Sequence, residues 1–87
     1  MEFEWDDAKR QSNLAKHGLD FVDVERLDWR VAHIGRDARF DYGEDRFTAY
    51  GLLDDVLMVV IFTWRGEAMR IVSYRRANRM ERKRYGR

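Results

Sequence analysis

Val56-Leu57-Met58-Val59-Val60-Ile61-Phe62-Thr63-Trp64 is apolar at both odd and even positions. A strand with one wet face would alternate, so this run predicts a central strand covered on both sides. It is far too short to cross a bilayer as a helix. Arg65-Gly66 follows as a two-residue hairpin turn, and Ala68 to Arg75 reads as the returning strand. Upstream, Asp54-Asp55 turns the chain. Arg46 to Leu53 forms another strand, with Phe47, Ala49 and Gly51 on one face and Arg46, Thr48, Tyr50 and Leu52 on the other. Val31 to Ile34 reads as a short strand, and the polar, glycine-containing stretch Arg36 to Asp45 as a loop.

Outside these strands the signals are helical. Asp6 is a good N-cap for a helix over 7–17, and Gly18 stands where a left-handed residue ends one. Asp20 can cap a second helix, in which Phe21, Val24 and Leu27 recur at three-residue spacing. Asn78 and Glu81 have capping-box spacing and predict a short helix from Arg79 to Tyr85. Phe3 and Trp5 alternate with charges, as in an edge strand or extended arm. The order is β-α-α-β-β-β-β-α. It predicts an α+β fold: an antiparallel sheet with an N-terminal α-hairpin and a short C-terminal helix, the helices packed against one face. Eighty-seven residues suit one domain spanning 1–87.

The charge is unevenly placed. Arg65 to Arg87 holds nine basic and two acidic residues, net +7. Met1 to Trp64 holds eight basic and fourteen acidic, net −6. The total of +1 therefore conceals a dipole, and the arginine-rich third predicts a polyanion partner confined to one face. The absence of cysteine excludes disulfides and thiolate metal sites and fits a cytoplasmic protein. The charged N-terminus does not read as a signal peptide.

Arginine is the first candidate chemistry, because its planar fork donates paired hydrogen bonds to phosphate without titrating. Arg46, Arg65, Arg70 and Arg75 lie on or at the ends of strands. Strict alternation places Arg70 with Val72 and Tyr74 but Arg75 with Met69, Ile71 and Ser73, on opposite faces unless a bulge intervenes. The plain alternative for these arginines is a salt bridge to Glu44, Asp45 or Glu67, and for Arg82 and Lys83 a solvated helix face. His17 and His33 lack metal-ligand spacing; each reads more readily as structural, although His17 can accept a proton near neutrality. No glycine-rich phosphate loop, HExxH motif or Ser-His-Asp order is present.

Taken together, Phe3-Glu4-Trp5-Asp6, Lys9, Asn13, Lys16-His17-Gly18 and Phe21 resemble the opening of the BrnT family of small bacterial toxins. The second half fits as well: Arg46-Phe47, Gly51, Thr63-Trp64-Arg65-Gly66, Arg70-Ile71-Val72-Ser73, then Arg75, Ala77, Glu81 and Tyr85. The chain departs from the family pattern at Tyr74, where Ala is usual, and at Asn78, where Thr or Ser is usual. The resemblance implies a RelE-like fold, ribonuclease activity and neutralisation by a BrnA-like antitoxin that also supplies contact with operator DNA. On that reading no cofactor, metal or membrane is expected. Arg46, Arg65 and Arg75 are expected to grip the scissile phosphate. Lys9, Arg70, Arg76 and Tyr85 are expected along the RNA, with His17, Tyr50 or Glu81 as the base. A non-catalytic RNA- or protein-binding module using the same basic face is the competing reading.

Overall fold

The computed structural model describes residues 1–37 and 43–86. In chain order these form β1 (Glu2–Trp5), α1 (Asp7–His17), a 3₁₀ segment (Phe21–Arg26), β2 (His33–Asp37), β3 (Arg46–Leu53), β4 (Val56–Arg65), β5 (Ala68–Arg76) and α2 (Arg79–Tyr85). The five strands make one sheet in the order β1-β5-β4-β3-β2. The fully apolar run is indeed central. Burying each of its large side chains contributes roughly 1.5–3 kcal/mol.

Five expectations change. The sheet is mixed rather than antiparallel, because β1 runs parallel to β5. The second helix is 3₁₀, so there is no hairpin of two α-helices. The turn after β4 consists of Gly66 and Glu67, with Arg65 already paired to Ala68. The helical elements do not share one face: the 3₁₀ segment covers one side of the sheet, α1 runs along the β5 edge, and Tyr85 of α2 packs on the other side. The expected loop begins later than Arg36, because β2 continues to Asp37; residues 38–42 of that loop lie outside the described residues.

Local chemistry explains the ends of α1. The Asp6 carboxylate accepts from the backbone N–H groups of Ala8 and Lys9, and Gly18 takes a left-handed φ of 69° while its N–H donates to Leu14. The Arg10 fork then grips Asp20 at 2.8 and 2.9 Å, tying α1 to the 3₁₀ segment. That hydrogen-bonded pairing holds the Asp20 carboxyl below the usual carboxylate range.

The main core lies between the helical layer and the sheet. Met58, Val60 and Phe62 of β4 pack with Phe21, Val24, Leu27, Ala49, Met69, Ile71 and Tyr74. Leu27 packs close over Gly51: a Cβ there would stand 2.8 Å from Leu27 Cδ2, so that side chain would have to shift. The edge of β5 is finished unusually. β1 pairs only as far as Ile71. Beyond it, the buried Asn13 side chain of α1 accepts from the Tyr74 N–H at 3.0 Å and donates to the Tyr74 carbonyl at 2.8 Å. One amide thus stands in for a missing strand partner.

Candidate active site

The opposite face of the sheet carries Leu57, Val59, Ile61 and Thr63 of β4 and only a small second core of Leu57, Val59 and Ala77, with Tyr50, Leu52 and Tyr85 against it. Its polar groups are placed by register. His33 opposes Tyr50, Tyr50 opposes Val59, and Val59 opposes Arg75. One cross-strand row therefore presents His33, Tyr50 and Arg75 together.

A bulge decides where the arginines go. Ile61 pairs with Ser73, yet Phe62 pairs with Ile71, which leaves Val72 as an extra residue in β5. Alternation resets across it. Arg70 then stands opposite Thr63, on the same face as Ser73 and Arg75, while Tyr74 and Arg76 turn to the helix-covered side. The opposite-face assignment from strict alternation is thus overturned by one inserted position.

α2 closes the row from above. The Arg75 guanidinium meets Glu81 through two parallel bonds of 2.7 and 2.9 Å. Glu81 also accepts from the Asn78 N–H, completing the capping box expected from the spacing. Tyr85 stacks on Tyr50 with ring centroids 4.1 Å apart and lies 5.3 Å from His33. Around these groups is an open cavity of about 550 Å³, whose lining includes His33, Thr48, Tyr50, Arg75, Glu81 and Tyr85.

The remaining candidates fall into separate groups. Arg70 pairs with Glu4 at 2.9 Å, a partner supplied by the parallel strand β1 rather than by Glu44, Asp45 or Glu67. Arg46 lies beside the Phe47–Phe62 pair and Arg65 at the end of β4, 3.9 Å from Glu44. Thr63, opposite Arg70, is four residues from Val59, about 13 Å at the usual strand rise. Arg75 is therefore set apart from Arg46, Arg65 and Arg70. Lys9 and His17 line a smaller depression at the β5 edge with Ser12, Lys16 and Ser73. Burial, then the Lys16 and Arg75 charges, lowers the His17 pKa, which leaves its imidazole neutral at pH 7 rather than charged against the helix dipole. Arg76, exposed, shares the side of Tyr74.

His33, Thr48 and Arg84 also line the cavity and were not singled out as site residues from sequence. Thr48 and Tyr50 share a readable strand face, but the neighbour across each of them depends on register. Among the described residues no group of three or more His, Asp or Glu side chains could hold a metal ion, and no helix is long and apolar enough to cross a membrane.

Comparison with known proteins places residues 5–81 within a family model described as "Ribonuclease toxin, BrnT, of type II toxin-antitoxin system". Comparison with curated proteins returns no match.

Proposed function

The chain belongs to the BrnT family of ribonuclease toxins of type II toxin–antitoxin systems, and from that premise we propose that it is a cytoplasmic, metal-independent endoribonuclease whose active site is the cavity under α2. The observation that carries this reading is the paired Arg75 and Glu81 beside Tyr50 in one open cavity. A fixed cation and a carboxylate side by side are what RNA cleavage needs, since RNA brings its own nucleophile. Glu81 accepts the 2′-hydroxyl proton, the 2′ oxygen attacks phosphorus, and Arg75 stabilises the charge that grows on the phosphoryl oxygens. The 5′ oxygen leaves and takes a proton from water, which yields a 2′,3′-cyclic phosphate and a 5′-hydroxyl end.

Of the candidate bases, Glu81 and Tyr50 line the cavity and His17 stands at the β5 edge. Glu81 is assigned the role because its carboxylate already touches Arg75, with Tyr50 beside it in the cavity. Arg46, Arg65 and Arg70, farther along the same face, serve neighbouring phosphates, and Lys9 extends the path around the β5 edge. Membership in a type II family implies an antitoxin partner. We assign that partner as BrnA-like and acidic where it meets the arginine face, so that docking excludes RNA and compensates charge.

Purified protein free of antitoxin, incubated with RNA and EDTA, tests the reading. Cutting to cyclic-phosphate ends is expected. Intact RNA that is bound and released by salt would identify a binding-only module instead. EDTA-sensitive cutting would remove the metal-independent mechanism.

A further inference from the structure

Beyond the reacting phosphate, we propose that the same cavity contains a base-reading subsite that takes one unpaired ribonucleotide, with Thr48 reading the edge of its base. The proposal rests on the nuclease reading for its RNA ligand, but its geometry is independent of the chemistry. Gly35 opposes Thr48, and Thr48 opposes Ile61, so these three form the row beside that of His33, Tyr50, Val59 and Arg75. All three line the cavity. Ile61 offers an apolar surface. A Cβ built on Gly35 meets no atom within 4 Å, so open space lies above that end of the row.

The stacked Tyr50–Tyr85 pair forms an aromatic wall, and His33 adds a third ring beside Tyr85. Thr48 is half-buried and lines the cavity. A hydroxyl can donate or accept, so Thr48 can meet either kind of group on a base edge. Arg75 and Arg84 border the same space and can receive the phosphate of that nucleotide. Aromatic rings, an apolar floor, one polar reader and flanking guanidinium groups are the parts with which proteins read single-stranded RNA. A site for phosphate alone would need only the last of them.

The test is binding by the full chain, followed by calorimetry or chemical-shift titration. The probes are the four ribonucleoside 3′-monophosphates and inorganic phosphate. At least one nucleotide is expected to bind about tenfold or more tightly than phosphate, the scale of one base–aromatic stack. Gly35→Val fills the open space with a residue suited to strands and is expected to bring that nucleotide down to the level of phosphate. Thr48→Val is expected to change the ranking among the four bases, and it keeps the test decisive if Gly35→Val does not fold. Four nucleotides that bind no better than phosphate, or a ranking unchanged in Thr48→Val, would overturn the subsite. RNA cleavage by the same preparations separates the two readings. Base discrimination without cutting sinks the nuclease and spares the subsite; cutting without discrimination does the reverse.

Discussion

On the helix-covered face of the sheet, Met58, Val60 and Phe62 meet Phe21, Val24 and Ile71 in a dry, continuous core. On the other face, the intervening Leu57 and Val59 meet Ala77, Tyr50, Leu52 and Tyr85 in a small cluster, and the rows around them carry Tyr50, Arg70 and Arg75. Both sets come from the same strands, one residue out of phase. The first face excludes water and stabilises the fold. The second leaves room for charge, and its Arg70 and Arg75 forks are held by carboxylates, Glu4 from the far end of the chain and Glu81 from the helix that follows β5. Partly exposed pairs contribute little stability unless they are bidentate, as Arg75–Glu81 is. They fix the direction in which the forks point. A small chain can therefore separate what holds it together from what it does by using the two sides of one sheet.

Substitutions on the two sides should differ in kind. The largest effect is expected at Phe62, which is fully buried. Phe62→Ala should remove about 3–5 kcal/mol of stability, measured by urea unfolding, a large share of the total for a domain this small. Across the sheet, Arg75→Ala should leave the protein folded but slow RNA cleavage by about 10²–10³-fold. Arg75→Lys should not restore the rate, because an ammonium lacks the planar fork. Equal loss of stability in Phe62→Ala and Arg75→Ala would break the contrast.

Tyr74 supplies a sharper test of the dry side. Its hydroxyl is buried without a hydrogen-bond partner among the described residues. Burial, as the largest cause, pushes its pKa up from 10.0 to about 12. Between those values the native state keeps a proton that the unfolded chain releases, so stability falls as pH rises. The loss should total about 2–3 kcal/mol over that window. Tyr74→Phe should abolish this slope relative to the parent, seen in unfolding curves from pH 9 to about 12. The smallest change is at the cap of α2. Asn78→Ala should cost about 1 kcal/mol in thermal unfolding. It should also loosen Glu81, which the cap and Arg75 hold together.

Much of this was legible without coordinates because it depends on neighbours along the chain. The Asp6 cap, the Gly18 stop and the Asn78–Glu81 box join residues a few positions apart. The apolar run of β4 shows its central place through composition alone. The concentration of positive charge after Trp64, and the pattern shared with the BrnT family, likewise required only the order of residues.

The arrangement of the site did not. Whether Arg70 and Arg75 share a face hangs on one extra residue, Val72, and a bulge exists only relative to a partner strand. Glu4 reaches Arg70 from 66 positions away because β1 enters parallel to β5. Asn13 can replace a strand partner only where α1 runs past the end of β1. α2 covers the sheet face opposite to the 3₁₀ segment, which its own amphipathic sequence does not reveal. What the sequence by itself determined is the set of elements, their caps and the excess of arginine, all products of local geometry and composition. Which side chains meet around Arg75 was decided by tertiary structure, because register and layer order arise only when strands from distant parts of the chain hydrogen-bond to one another.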